Sequence, residues 1–168
     1  MSANNICLPV IQAPMFLLSG PDMVIASCRA GIIGSFPSPN ARTVNILDQW
    51  LQQITSQLSE VPHAAPWALN LVMHRSNPRR HDDLEFAIKY RAPIVITALG
   101  SPAEAVESVH AYGGKVYADV TTIDFARRAA AVGVDGLALV CCGAGGHTGL
   151  LSPFAFVDEV RQFFDGEI

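Results

Sequence analysis

The chain has 168 residues, half of them hydrophobic and only 15% charged, with a formal net charge of -4 at pH 7. That length suits one domain with a sizeable core, and the acidic balance excludes the basic face that nucleic acid or an anionic membrane surface would need. No stretch approaches the ~20 apolar residues that span a bilayer, and "MSANNICLPV" lacks the basic and apolar regions of a secretory signal, so a soluble cytoplasmic protein is expected.

The first apolar run, "PVIQAPM" (9–15), is expected to be a strand that Pro14 stops. A helix follows in "GPDMVIASCRAG", with Asp22 near its start and Gly31 at its end. "IIGSF" is the second strand, and it enters the turn-rich "PSPNA". The next helix covers 44–58, where Leu47, Leu51, Ile54 and Leu58 share one face. "WALNLVM" is the third strand, with Asn70 at its centre, and a polar loop leads to a helix through "LEFAIKY". The fourth strand is "PIVITAL"; Ser101 and Pro102 fit the N-cap and first turn of its helix. "KVYADV" is the fifth strand, and Thr122 or Asp124 caps the helix after it. "GLALV" is the sixth strand and runs directly into "CCGAGGHTG"; a last helix fits "SPFAFVDEVRQFF".

Strand and helix thus alternate six times, in Val/Ile/Leu-rich strands with little polar alternation. Such strands are buried on both faces, which predicts a parallel sheet with helices outside it. An open doubly wound sheet and a (β/α) barrel both satisfy the pattern. In either, chemistry gathers at the C-terminal ends of the strands, where Pro14-Met15, Asn70 and the glycine stretch lie.

Cys7, Cys28, Cys141 and Cys142 form no C-x-x-C pair and read as reduced thiols, the adjacent two as small buried apolar residues. Arg79-Arg80 and Arg127-Arg128 read as solvated surface, and Asp82-Asp83 and Asp158-Glu159 as helix-surface charges. The other four histidines lack metal-ligand spacing, so no metal site is expected, and no G-x-S-x-G elbow is present. "GAGGHTG" has neither Rossmann nor P-loop spacing. Gly145 and Gly146 allow backbone to pass close to a flat ligand. His147 stands at the rim as a candidate base, because imidazole titrates near neutrality; a flexible turn with an exposed histidine is the plainer alternative. Asn70 could meet the polar edge of a ligand or satisfy a neighbouring loop.

Taken together, "PVIQAPM", Asn70 within "WALNLVM", and "GAGGHTGLLSPFAFVDEVR" resemble the nitronate monooxygenase (2-nitropropane dioxygenase) family, from about Leu8 to the end. The resemblance implies an FMN-binding TIM-type (β/α) barrel occupying 1–168 as a single partial domain. It implies that Ala13, Pro14, Met15, Asn70, Ala144, Gly145 and Gly146 contact the flavin. His147 matches the family's catalytic base, acting on a nitroalkane or nitronate with dioxygen as oxidant. Enoyl-thioester or NAD(P)H:quinone reduction on the same fold is the alternative, as is a non-catalytic fragment. Val140 and Gly143 stand where many members carry Gln and Glu. A complete barrel takes ~250 residues, so this sequence is expected to be the N-terminal portion. About six units are present; the last two, with the loops that take the FMN phosphate, are missing. Its first and sixth strands are then open edges, suited to a homo-oligomer or to a complementing C-terminal half.

Overall fold

The computed structural model describes residues 6–168; the part of the leader expectation that falls on residues 1–5 lies outside the described residues. The chain order is α1 (Pro21–Arg29), β1 (Gly34–Pro37), a 3-10 turn (Ser38–Asn40), α2 (Val44–Ser59), β2 (Trp67–Val72), α3 (Arg80–Lys89), β3 (Ile94–Ala98), α4 (Ala103–His110), β4 (Lys115–Val120), α5 (Ile123–Ala131), β5 (Gly136–Leu139) and α6 (Pro153–Arg161). The five strands are all parallel and lie in the order β1-β2-β3-β4-β5.

Side chains alternate across this sheet with the period of two that a strand imposes. Phe36, Leu69, Val95, Val116 and Leu137 turn to one face, where they pack with residues from all six helices, including Val24, Leu47, Leu84, Val109, Ala126 and Phe156. Ala68, Ile94, Ile96 and Tyr117 turn to the other face and form a second, smaller cluster with Ile33, which Ile6 and Ile11 cover. A doubly wound sheet would carry helices on both faces and reverse its strand order at a switch point. Sequential order with every helix on one side is instead the wall of a (β/α) barrel, incomplete in this chain.

Local chemistry sets the helix boundaries. Thr43 caps α2 by accepting from the Ile46 amide at 3.2 Å, and Thr122 caps α5 by accepting from Phe125 at 3.2 Å. Thr122, not Asp124, is therefore the cap. The start of α4 lies one residue later than expected: Pro102 occupies the cap, and Ser101 Oγ accepts from the Ala103 amide at 3.4 Å. Leu47, Leu51 and Ile54 of α2 are fully buried, each contributing roughly 1.5–3 kcal/mol by leaving water.

The first expected strand is reduced to a single parallel bridge, Ile11 to Ile33. Gln12 donates to Ile33 O and Ile33 to Val10 O. Pro9 and Pro14 bracket the bridge without an amide hydrogen to extend it. At the opposite edge Gly136 of β5 forms a parallel bridge with Glu167. The Glu167 carboxylate accepts from Lys115 Nζ and the Tyr117 hydroxyl.

Two charge readings are corrected. Asp83, expected on a helix surface, is 2% exposed. It accepts from Ser38 Oγ at 2.7 Å and from Arg79 Nη2 at 2.7 Å, while Arg79 Nη1 donates to Ala41 O at 2.6 Å. Arg79 is thus not solvated surface but a clasp between α3 and the turn after β1. Burial pushes the Asp83 carboxyl up, against the hydroxyl and guanidinium that hold it down. Replacing Asp83 with Ala leaves a half-buried cation and a buried hydroxyl unpaired, and should cost about 3 kcal/mol, the lower end for a broken buried pair. Asp83→Asn, which retains a partner for Ser38, should cost less. Urea unfolding of the two variants checks both the size and the order.

Candidate active site at the C-terminal ends of the strands

The loop after the Ile11 bridge is held by side chains, because its backbone has no ladder to join. Gln12 Oε1 accepts from the Ser35 amide at 3.1 Å and its Nε2 donates to Ser19 Oγ at 3.0 Å. Ser19 Oγ accepts from Met15 N at 2.9 Å and donates to Ala13 O at 3.2 Å. Asn40, at the end of the 3-10 turn, donates to Met15 O at 3.0 Å and Ser19 O at 2.8 Å and accepts from Leu17 N at 3.0 Å. That last bond compensates the positive φ of Leu17, 65°. Both backbone polar groups of Met15 and the carbonyl of Ala13 are therefore committed to shaping the loop. The side chains of Phe16, Leu17 and Leu18 project outward as an exposed apolar group.

Asn70 is 6% exposed and sits in register with Pro37 of β1 and Ile96 of β3. Its Nδ2 donates to Ile96 O at 3.1 Å, which spends one of its amide hydrogens on the neighbouring strand. Among the described residues its Oδ1 accepts no hydrogen bond, so the amide retains capacity on the inner face.

β5 gives way to the glycine stretch at Val140, whose amide donates to Val120 O at 2.8 Å. The loop then closes on its own root. Cys142 N donates to Leu151 O at 2.8 Å, and Ala144 N, Gly149 N and Thr148 Oγ1 all donate to Cys141 O, at 3.3, 3.2 and 3.2 Å. Gly149 is required there, since a Cβ at this position would stand 1.9 Å from Val140 O. Gly146 has φ 72°, a conformation that other residues rarely adopt. A Cβ on Gly145 or Gly146 would meet nothing within 4 Å, and among the described residues the amides of Gly145, Gly146 and His147 have no protein acceptor. The cysteine reading changes here. Cys141 is half-buried but Cys142 is exposed, so the pair is not two buried apolar residues.

His147 is exposed on this loop and lines a cavity of about 570 Å³. Ala98 and Leu99 at the end of β3, Asp119 on β4, Val140, and Phe125 and Arg128 of α5 share that cavity. Leu99 has φ 58°, so the end of β3 turns through left-handed backbone beside it. Of the residues expected at the site, His147 alone lines the cavity. Ala13, Pro14 and Met15 lie on the Gln12–Ser19 loop, and Asn70 lies one side-chain layer deeper in the sheet than Asp119.

Asp119 is the residue that sequence reasoning missed. Its signal was one carboxylate at the last inward position of a strand, Lys115–Val120, that is otherwise buried beyond its first residue. Burial pushes its carboxyl up to about 6, while the charge of His147 across the cavity draws it part of the way back. Arg128 lines the same cavity with its guanidinium over the Phe125 ring, 5.7 Å from the centroid. Among the described residues no group of three His, Cys, Asp or Glu side chains converges to hold a metal, and no helix is long and apolar enough to cross a membrane.

If Asn40 holds the Gln12–Ser19 loop as described, Asn40→Ala should raise the hydrogen-exchange rate of the Leu17 amide by at least tenfold. It should lower global stability by about 1 kcal/mol, chiefly the cost of leaving the carbonyl of the buried Ser19 without its donor, since Met15 and Leu17 are exposed to water. Exchange measured on both proteins checks the first figure and chemical unfolding the second.

No protein-family model matches the chain. A curated relative, nitronate monooxygenase from Paraburkholderia phytofirmans, is 26% identical over 187 residues, covering 92% of this chain and 51% of the relative. The solved structure of FabK from Thermotoga maritima superposes with a TM-score of 0.84 at 21% identity, over 97% of this chain and 50% of that one. Nitroalkane oxidase from Streptomyces ansochromogenes gives 0.83 at 20% identity, over 96% and 57%. These structural likenesses establish the barrel-type fold, and the chain spans about half the length of the proteins it matches. The chain is thus similar to a nitronate monooxygenase over nearly its whole length, and to about half of that protein.

Proposed function

We propose that the chain carries the proton-transfer side of a flavin-dependent oxidoreductase acting on nitroalkanes or nitronates. The observation that carries this reading is His147, held on a glycine loop closed by Cys141 and Leu151 and lining a largely apolar cavity at the C-terminal ends of the strands. The match to a nitronate monooxygenase over 92% of the chain supports it.

The residues present fit a flavin in two respects. Asn70 retains unspent amide capacity, and the amides at Gly145, Gly146 and His147 are free donors beside space that no side chain fills. Asn70, Ala144, Gly145 and Gly146 would hold FMN together with the loop through Ala13, Pro14 and Met15. The bound flavin would supply the electron transfer to dioxygen. This chain's own part is acid–base and electrostatic. His147 takes the proton alpha to the nitro group, so that the carbon's electron pair delocalises onto the nitro oxygens and the proton rests on imidazole. Arg128 gives the resulting anion a counter-charge within the cavity, and Leu99, Phe125 and Val140 hold an alkyl chain out of water.

Titrating the purified chain with FMN should perturb the flavin absorption spectrum, and adding a nitroalkane should release nitrite. His147→Ala should lower the rate with neutral nitroalkane by about 10²–10⁴-fold, the usual worth of a positioned base. Its effect should be smaller with preformed nitronate, which needs no deprotonation. Full turnover in His147→Ala would remove the base role. Rapid reduction of bound flavin by NADH or NADPH without nitrite release would favour a reductase.

A further inference from the structure

We propose that Asp119 is a positioning residue for His147. Across the cavity they share, its carboxylate holds the imidazolium that forms when His147 takes a proton.

The placement is built into the sheet. Asp119 pairs in register with Ala138 of β5, and one residue on, Val120 O accepts from Val140 N at 2.8 Å. The loop that carries His147 starts at Val140 and returns to it, through the close approach of Gly149. Asp119 and His147 therefore stand on either side of one β4–β5 junction and line one cavity. No hydrogen bond joins them, so the interaction is a charge acting across the cavity, strengthened by partial exclusion of water.

Other charges do not take this part. Arg128, from α5, is the other ionic group lining the cavity, and it lies over Phe125. On β4 itself, Lys115 and Tyr117 are engaged by Glu167 at the far end of the strand. The faces offered by the end of β3 and the start of α4 are Ala98, Leu99, Gly100, Ser101 and Pro102, which do not ionise near neutrality; Ala138 and Val140 of β5 do not either.

Above about pH 6 Asp119 is ionised and stabilises a protonated His147; below that pH it is neutral and the support is lost. The proton goes from substrate carbon to imidazole and then to solvent, and Asp119 does not receive it. This role rests on the reading of His147 as the base, yet the pairing can be measured without flavin or substrate.

The test follows the Asp119 carboxyl carbon by NMR through a pH titration of the full chain. In His147→Gln the Asp119 midpoint should rise by about half a pH unit or more, since the cation that lowers it is gone. An unchanged midpoint overturns the pairing. His147 is an exposed loop residue, so this variant should fold normally. In the nitroalkane assay, Asp119→Asn should lower kcat by about tenfold and change the acid limb of the rate's pH profile. Asp119→Glu should restore part of both. A wild-type pH profile retained in Asp119→Asn also overturns the proposal. If no nitrite is released but the Asp119 midpoint still moves, the nitroalkane reading fails while the pairing stands. If nitrite release depends on His147 but the midpoint does not move, the pairing alone fails.

Discussion

The parallel pairing of β4 with β5 is the constraint on which the rest of the candidate site depends. It fixes Asp119 opposite Ala138 and joins Val120 O to Val140 N. From that junction the glycine loop leaves and returns, so two groups 28 positions apart in the chain face one cavity. A slip of one residue in this register would turn Asp119 toward α5 and put Val120 in its place. The helices enforce the register, because Val116, Ala118 and Val120 pack against them on the other face. The apolar outer face thus determines where the polar inner groups stand.

Loops at the same end of the sheet are shaped by side-chain hydrogen bonds in place of ladders. Asn40 ties three backbone groups of the Gln12–Ser19 loop, Ser19 ties two more, and Gln12 joins the loop to the Ser35 amide of β1. The glycine loop uses the Cys141 carbonyl as its anchor and leaves the tip amides free. Free donors at the tip of a loop whose root is fixed are suited to a ligand, since binding then orders few additional residues. The left-handed turns at Leu17 and Leu99 lie at this end as well, where strain accompanies function more often than elsewhere.

Much of the architecture was legible because it follows from repeating local rules. Continuous apolar runs placed five strands within two residues of where they fall, and 3.6-residue spacing found all six helices, although α3 begins at Arg80, inside the stretch expected to be a polar loop, and α6 ends three residues early at Arg161. The first expected strand failed for a local reason, since Pro9 and Pro14 leave Ile11 room for one bridge only. Asp83 and Arg79 were misread because their polarity suggests water, whereas the turn after β1 brings Ser38 and Ala41 to meet them. Asp119 was passed over for a related reason: one carboxylate in an apolar strand means nothing until its face is known.

The sequence by itself determined a parallel α/β chain, the order of its strands and helices from Ile32 onward, and the glycine-rich setting of His147, because these depend on residues close together in the chain. The tertiary structure decided that all helices share one face, which separates a barrel wall from a doubly wound sheet. It also decided that Asn70 spends one hydrogen on Ile96 and keeps the remainder, and that Asp119 stands across the cavity from His147. Those outcomes depend on strand register and on which side of the sheet each helix crosses, and they are fixed by packing between segments far apart in the chain.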